Sequence, residues 1–448
     1  MIDRSPDAVW CELAWMGGDR AEAGVVIGLE GDRISSIETG VQEPPPEAAA
    51  LAGLAIPGLA NAHSHAFQRA LRGRAQSERG DFWTWRQRMY ELAEAIDPDL
   101  YRPLARATFG EMALAGITAV GEFHYLHHGP GGGRYEDPNA LGKAVIQAAR
   151  DAGIRITLLD TCYLHGGIDR EPEGAQLRFS DGSADAWTER VAGLEPDDAA
   201  RLGAAIHSVR AVDPEAAAAV ATFAAKRSWP LHAHVSEQPA ENEDCRAAYG
   251  TSPTALLAEA GALTERFTAI HATHPADDDF DSLGSNGCRV CLCPTTERDL
   301  ADGVGPARRL TEAQVGLCLG TDSHAAIDMF EEARAVELDQ RLETGLRGGH
   351  SAAELLHAAT AGGYESIGWP EGGRIEPGAL ADLVCVGLDG VRLAGTSADH
   401  ALESAVFAAS AADVRDVMTG GRFVVRDGSH LDLDVAAGLR DAIGALPG

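Results

Sequence analysis

His63 and His65 are the first residues of this chain whose type and spacing could hold a metal ion. In an extended strand, residues i and i+2 point to the same side, so both imidazoles can reach one divalent cation. An isolated pair of this kind is weak evidence, because histidines also pack in cores or lie on surfaces. Three further candidates, His234, His271 and Asp322, each fall at the end of an apolar, strand-like segment. This repetition at the ends of strand-like segments favours a metal site.

The elements that must position these side chains are eight short apolar segments, most of them separated by helix-like stretches rich in Ala, Leu, Glu and Arg. Such a pattern indicates a parallel sheet covered on both faces, and eight units match one closed (β/α)8 barrel of the TIM type. In such barrels the active site lies at the C-terminal ends of the strands, where the candidate residues fall. The predicted strands are residues 54–65, 117–125, 155–163, 202–212, 230–237, 267–274, 288–297 and 315–324.

The two ends of the chain differ from its middle. Residues 1–56 and 373–448 contain short strand-like segments with Gly and Asp-Gly turns, which are typical of hairpins. We expect both ends to combine into one small β-sandwich domain beside a barrel formed by residues 57–372. The predicted fold class is therefore α/β, a TIM-type barrel with a small composite β domain.

Composition narrows the function classes. A formal net charge of −31 disfavours nucleic acid and acidic membrane surfaces as partners. The eight cysteines are scattered rather than arranged as a disulfide framework, which favours a reducing cytoplasm. Cys288, Cys291 and Cys293 lack a second pair that would complete a zinc site, so we expect buried core cysteines. The first residues do not resemble a signal peptide, and the apolar runs are shorter than the ~20 residues of a membrane helix.

Two long segments follow predicted strands. Residues 127–138 are rich in Gly but lack the lysine of a phosphate-binding loop, so a plain loop is expected. Residues 165–199 are expected to form a long polar loop at the mouth of the barrel. This loop is interpreted either as a lid or as a passive surface excursion.

Several motifs together resemble the amidohydrolase superfamily. They are His63-x-His65, His234-x-x-Glu237, His271, the stretch GTDSH at 320–324 and the stretch GRIEPGALADL at 373–383. The resemblance covers nearly the whole chain and implies a metal-dependent hydrolase. It further implies that His63, His65, His234 and Asp322 bind the metal.

Some members of that superfamily hold two metals bridged by a carboxylated lysine at the end of the fourth strand. The chain has only two lysines, Lys143 and Lys226, and both lie in helix-like segments. The fourth predicted strand, residues 202–212, contains none. One divalent ion, most simply Zn²⁺, held by three nitrogens and a carboxylate with an open water position, is therefore expected.

Longer stretches are similar to the family of formimidoylglutamate deiminases, which act in histidine degradation. They are NAHSHAFQRALRG, DFWTWRQRMY, GEFHYLHH, IHSVRAV, HAHVSEQ and CLCPTTERDLADG. This resemblance implies a small anionic substrate, N-formimino-L-glutamate, and a homodimer. It implies catalytic roles for Glu237, His271 and Asp322, with the residue that takes the first proton left open. It also implies five substrate contacts, Gln68, Arg86, Tyr125, His207 and Arg210.

The distribution of arginine fits a substrate with two carboxylates. Residues 69–88 contain six arginines and only two acidic residues. Arginine recognises a planar carboxylate with two parallel hydrogen bonds, which lysine cannot do. Arg86, which follows the aromatic stretch FWTW, and Arg210, beside a strand end, are the candidate carboxylate contacts. The others are interpreted as a solvated helix face, namely Arg69, Arg72, Arg74, Arg79 and Arg88.

Three alternatives use the same observations. The chain could deaminate an aminated heterocycle such as guanine, cytosine or adenosine, although paired arginines suit a flat neutral ring poorly. It could act on another N-formimino amino acid, such as formiminoaspartate, which is shorter by one methylene. It could also be a non-catalytic scaffold on a decayed barrel, but decay would leave gaps in the set of polar residues.

Overall fold

The computed structural model describes residues 5–77, residue 80 and residues 82–446. Within them the strands are β1 Ala8–Ala14, β2 Glu22–Glu30, β3 Arg33–Glu38, β4 Ala49–Pro57, β5 Leu59–Ser64, β6 Ile117–His124, β7 Arg155–Cys162, β8 Ala200–Ile206, β9 Leu231–Val235, β10 Phe267–His271, β11 Arg289–Leu292, β12 Gly316–Leu319, β13 Leu383–Val386, β14 Val414–Thr419, β15 Arg422–Arg426 and β16 Ser429–His430.

The α-helices of the described residues are α1 Phe82–Ala95, α2 Pro98–Leu114, α3 Ala140–Ala152, α4 Ala184–Val191, α5 Pro214–Arg227, α6 Pro239–Tyr249, α7 Pro253–Glu259, α8 Asp277–Ser285, α9 Pro294–Asp299, α10 Ala307–Glu312, α11 Met329–Thr344, α12 Ala352–His357, α13 Gly363–Ser366, α14 Ala401–Ala408 and α15 Val435–Gly444. Lys143 and Lys226 lie in α3 and α5, as their surrounding sequence predicts.

The barrel consists of β5 to β12, which pair in chain order and run parallel. A parallel bridge between Ser64 and Asp322 joins its first and last strands, so the ring closes. The prediction of a (β/α)8 barrel is confirmed. The strands β5, β6 and β7 are buried along their whole length, which explains why they read as continuous apolar runs in the sequence.

The first predicted strand, residues 54–65, is divided between two sheets. Its first part belongs to β4 and its second part to β5, with Gly58 between them. The amide of Gly58 donates to the carbonyl of Asp382, and a Cβ atom at this position would lie 2.0 Å from Thr118 Oγ1. The close approach of the two sheets therefore requires glycine at this corner.

The two ends of the chain form one mixed sheet in the order β16-β15-β14-β13-β4-β1-β2-β3. Strand β4 pairs in parallel with β1 and antiparallel with β13, so N- and C-terminal segments meet at the centre of the sheet. The prediction that both ends combine into one β domain is confirmed. The exact boundaries at 56/57 and 372/373 stay a prediction.

Residues 165–199 correct an expectation, because they are not a polar loop. They contain a 3-10 helix, Gly174–Arg178, and helix α4. Part of the charge of this segment is paired inside the protein, since Arg190 binds both Asp160 and Asp181 in the buried interior. Burial of Phe179 and Trp187 completes a packed layer over this side of the barrel.

All eight cysteines are buried and free, as the sequence predicts. None of the helices in the described part of the chain combines the length and the apolar character needed to cross a lipid bilayer.

Asp382 connects the mixed sheet to the barrel. Its carboxylate lies 2.8 Å from Arg155 Nε at the start of β7 and accepts hydrogen bonds from Tyr364 Oη and the amide of Gly420. The Arg155 and Asp382 side chains are nearly inaccessible to water, and the other carboxylate near Arg155, that of the exposed Asp32, is 4.0 Å away, so loss of Asp382 would leave a buried charge poorly compensated.

We expect Asp382→Ala to lower the free energy of unfolding by about 3–5 kcal/mol, because Arg155 would stay buried without its partner. Urea denaturation of the purified protein measures this change. The matched control is Asp389→Ala, which removes an exposed partner of Arg415 and should alter stability little. Equal effects of the two substitutions would contradict the role given to Asp382.

Candidate active site

Four side chains at the C-terminal ends of barrel strands bring their donor atoms together. His63 Nε2 lies 3.2 Å from His234 Nε2, and Asp322 Oδ1 lies 3.3 Å from Nε2 of both His63 and His65. A tetrahedral zinc ion with bonds of about 2.0–2.1 Å separates its ligand atoms by about 3.3–3.4 Å. The spacing of His63, His65 and Asp322 therefore fits one divalent ion, and His234 lies beside His63 in a second close group with His271.

Backbone carbonyls set the orientation of two of the imidazoles. His65 Nδ1 donates to the carbonyl of Phe123 at 2.9 Å, and His234 Nδ1 donates to the carbonyl of His207 at 2.9 Å. Each ring therefore turns the lone pair of Nε2 towards the cluster, as metal-binding histidines do. Desolvation by burial lowers the pKa of His63, His65 and His234, which favours the neutral form that binds a metal.

His271 lies beside this cluster and between carboxylates. Its Nδ1 is 3.3 Å from Glu297 Oε1, and its Nε2 is 3.8 Å from both Glu237 Oε1 and Asp322 Oδ2. Burial opposes the charged imidazolium, but the hydrogen bond to Glu297 and the charges of Glu237 and Asp322 outweigh it and raise the pKa of His271 to about 10. This arrangement favours an imidazole that donates from both nitrogens.

The backbone at the strand ends adopts unusual conformations. Among non-glycine residues, Ser236, His271 and Asp322 have φ of 51°, 68° and 44°. Left-handed backbone costs an ordinary residue about 1–3 kcal/mol and persists only where the surroundings hold it. These kinks lie at the last residue of β10 and shortly after β9 and β12, where the chain turns functional side chains into the mouth of the barrel.

A cavity of about 650 Å³, counted with its open mouth, lies above the cluster. Residues predicted as metal ligands, catalytic groups or substrate contacts line it together: His65, Gln68, Arg86, Tyr125, His207, Arg210, His234, Glu237, His271 and Asp322. Of the predicted site residues, His63 alone is absent from this lining, and it is fully buried within the cluster. The structure thus brings all the predicted site residues to one place, while their roles stay predictions.

The two candidate carboxylate contacts differ in their surroundings. Arg210 Nη2 lies 3.1 Å from Glu237 Oε2, and its Nε lies 3.9 Å from Glu241 Oε2. The guanidinium carbon of Arg86, on α1, lies 4.3 Å from the ring centre of Trp83. None of the carboxylates in the described residues lies within ion-pairing distance of Arg86.

Two of the arginines assigned to a solvated face have partners, which corrects that expectation. Arg69 Nε and Arg72 Nη1 each lie 2.6 Å from the carboxylate of Glu111 on α2, and Arg72 Nε donates to the carbonyl of His324. They tie the segment after His65 to the barrel wall. The sequence could not reveal this because Glu111 is about 40 residues away. Arg74 and Arg88 are exposed as expected, and Arg79 lies outside the described residues.

Sequence reasoning missed three buried carboxylates around the site. Glu122 accepts from Ser64 Oγ at 2.6 Å and from the amide of Ala66 at 2.7 Å, and burial raises its pKa to about 8. Glu297 supports His271, and Glu241 accepts from the amide of Glu237 at 3.2 Å. A charged residue inside an apolar strand, as in VGEFHY, is a signal that could have identified Glu122.

Comparisons with known proteins identify similar proteins over most of the chain. Residues 54–424 match the model of the amidohydrolase family. The chain is 38% identical over 394 residues to a formimidoylglutamate deiminase of Pseudomonas aeruginosa, covering 85% of this chain and 86% of that protein. It is 32% identical to a 5-methylthioadenosine/S-adenosylhomocysteine deaminase of Halobacterium salinarum, covering 86% and 84%.

Solved structures show the same architecture. An amidohydrolase from Brucella melitensis has a TM-score of 0.90 at 33% identity and covers 98% of this chain and 99% of its own. An adenosine deaminase from Xanthomonas campestris with bound zinc has a TM-score of 0.83 at 24% identity, covers 98% of each chain, and supports the fold.

We expect His65→Ala to lower the metal content of the purified protein about tenfold or more and to abolish activity with it. Metal content per chain, measured by plasma mass spectrometry, checks this. His232→Gln is the matched control, because His232 alternates with His234 on β9 and directs Nε2 to the carbonyl of Ser366, away from the cluster. Full metal content in His65→Ala would refute the assigned ligand set.

Proposed function

The chain belongs to the amidohydrolase family, and we propose that it hydrolyses N-formimino-L-glutamate to N-formyl-L-glutamate and ammonia. The observation that carries this proposal is one cavity that joins a cluster of metal-binding donors to two arginines. The donor cluster suits hydrolysis of a C–N bond, and the arginines suit an acyclic substrate with two carboxylates.

The charge of the protein makes the two arginines necessary. A chain with a formal net charge of −31 repels a dianion at long range, so capture requires local positive charge. Arg210 lines the cavity beside Glu237, and Arg86 lines it from α1. We assign Arg210 to the α-carboxylate and Arg86 to the side-chain carboxylate. A flat neutral heterocycle would offer no anionic group to either arginine, although Arg210 would keep its contact with Glu237.

Within this proposal His63, His65, His234 and Asp322 hold one divalent ion, most simply Zn²⁺. The two lysines offer no bridging ligand. Lys143, on α3, pairs with Asp137, and Lys226 is exposed on α5. When bound, the ion supplies the charge that lowers the pKa of a water molecule towards ~7.

The side chains around the ion would carry out the proton transfers. Asp322 accepts a proton from the attacking water while His271 donates a hydrogen bond that orients the water. A C–O bond forms at the formimino carbon and gives a tetrahedral intermediate. Glu237 delivers protons to the imino nitrogen, the C–N bond breaks, and ammonia leaves. Both protons that ammonia gains come from the water molecule, so the reaction balances.

Gln68 and Tyr125 support the orientation of the substrate. Gln68 Nε2 donates to Tyr125 Oη at 2.8 Å, and Tyr125 Oη donates in turn to Met89 Sδ at 3.6 Å, a weak acceptor that a substrate oxygen can replace. Gln68 Oε1 is buried and has no hydrogen-bond partner among the described residues, which leaves it available to an N–H of the formimino group. His207 borders the same space.

The test of the proposed function is ammonia release from N-formimino-L-glutamate by the zinc-loaded protein. N-formimino-L-aspartate, guanine, cytosine, adenosine and 5-methylthioadenosine are the comparison substrates. Turnover of the glutamate derivative in preference to all of them supports the proposal. Preferential release from a heterocycle would overturn it, and equal turnover of the aspartate derivative would overturn the choice of glutamate.

Arg210→Met should raise KM for N-formimino-L-glutamate about 10- to 100-fold while metal content is unchanged, because a charged hydrogen-bond donor to the substrate is lost. Steady-state kinetics and metal analysis measure both. Arg88→Met, on the exposed face of α1, is the control and should leave KM unchanged. An unaltered KM in Arg210→Met would contradict its contact with the substrate.

Glu237→Gln should keep the metal and the affinity for substrate but lower kcat by about 10²- to 10⁴-fold, the usual contribution of a positioned proton donor or acceptor. The control is Glu243→Gln on the exposed side of α6, for which kcat should not change. Normal turnover by Glu237→Gln would remove Glu237 from the mechanism.

A further inference from the structure

Arg210 is shared between two glutamates that belong to the same short segment of the chain. Glu237 follows β9, and Glu241 lies four residues later in the first turn of α6. Arg210 Nη2 contacts Glu237 Oε2 at 3.1 Å, and Nε faces Glu241 Oε2 at 3.9 Å. Arg210 Nε and Glu241 Oε1 are buried and lack a hydrogen-bond partner within the described part of the chain.

This contact restrains the residue that must move protons. One oxygen of Glu237 is engaged by Arg210, and the other lies 3.8 Å from His271 Nε2. The separation from His271 is longer than a hydrogen bond, so the contact with Arg210 is the one that keeps the Glu237 carboxylate from approaching the imino nitrogen of a substrate. Delivery of a proton therefore requires the contact with Arg210 to loosen.

The chemistry of the substrate supplies a group that can loosen it. In N-formimino-L-glutamate the α-carboxylate is attached to the carbon that carries the formimino nitrogen. A formimino carbon above the metal-binding cluster thus brings the α-carboxylate within reach of residues that adjoin Glu237. Arg210 is the guanidinium that meets this condition, and a carboxylate can take two of its N–H groups at once.

We propose that the α-carboxylate of the substrate replaces Glu237 on Arg210 and so releases Glu237 for proton transfer, while Glu241 keeps Arg210 in place. This inference rests on the proposed function. Arg210 then selects substrates at the catalytic step as well as at binding. An amidine without this carboxylate binds while Glu237 stays on Arg210, and it reacts slowly. Binding energy far from the reacting bond is then expressed in kcat.

The first test compares two substrates of the wild-type, zinc-loaded protein. N-formimino-4-aminobutyrate has the same formimino group and side-chain carboxylate but lacks the α-carboxylate. Its kcat should be about 100-fold lower than that of N-formimino-L-glutamate, as expected for loss of a proton shuttle. Added acetate should fill the vacant place on Arg210 and raise this kcat at least about tenfold with saturation, whereas chloride should not.

The second test removes the arginine. In Arg210→Met nothing holds Glu237, so kcat for N-formimino-4-aminobutyrate should rise above the wild-type value and should no longer respond to acetate. If Arg210 only binds carboxylates, the same substitution leaves that kcat unchanged or lower. The acetate experiment on the wild-type protein keeps the proposal testable where Arg210→Met does not fold.

Glu241 acts here as a positioning residue. Glu241→Gln leaves Glu237 as the only carboxylate of the pair on Arg210, so kcat for N-formimino-L-glutamate should fall several-fold with little change in KM. Glu241→Asp, which keeps the charge, should restore part of it. A purely structural role would lower the melting temperature and leave kcat of the folded protein unchanged.

The outcomes separate this inference from the function on which it rests. Absence of ammonia from N-formimino-L-glutamate overturns the proposed function. Normal release from it, combined with an equal kcat for N-formimino-4-aminobutyrate or with no activation by acetate, overturns the inference alone.

Discussion

The approach of His63, His65 and Asp322 across the seam of the barrel is the constraint on which the rest of the structure depends. The backbone joins the first and last strands at the same residues, since the amide of Asp322 donates to the carbonyl of His63 and the amide of His65 donates to the carbonyl of Asp322. The same backbone hydrogen bonds therefore close the barrel and set the spacing of the candidate ligands. A barrel that failed to close would separate the histidines of β5 from the carboxylate after β12.

Bringing these electron-rich side chains together costs free energy unless another interaction offsets the repulsion. Neutral imidazoles and a carboxylate turn electron pairs towards each other at 3.2–3.3 Å, in a place that water hardly reaches. A bound cation removes that cost, and carbonyl acceptors behind the rings hold the geometry when substrate enters. Left-handed backbone at His271 and Asp322 adds strain that the barrel must also hold, which is typical of functional sites.

The elements that could be predicted are those governed by local pattern. The eight barrel strands follow from apolar runs, and the site residues follow from polar side chains at the ends of those runs. The remaining features depend on distant partners. Residues 165–199 read as a polar loop because no local pattern reveals that Arg190 pairs with Asp160 and with Asp181 in the interior. Glu111 likewise gives Arg69 and Arg72 a role that their own segment does not predict.

The proposed contact of Arg86 with the substrate depends on segments outside the barrel. Arg86 lies on α1, whose C-terminal carbonyls, of Ala93 and Ile96, accept hydrogen bonds from the buried guanidinium of Arg178. Arg178 also donates to the carbonyl of His128 at 2.9 Å, so one side chain ties α1 to the loop after β6 and to residues 165–199. Two of these carbonyls lie at the C-terminal end of α1, so the guanidinium holds that end of the helix by hydrogen bonds as well as by packing. Residues 165–199 therefore help to fix the position of Arg86 through the contact of Arg178 with α1. The donor cluster, in contrast, is positioned by the ends of the barrel strands.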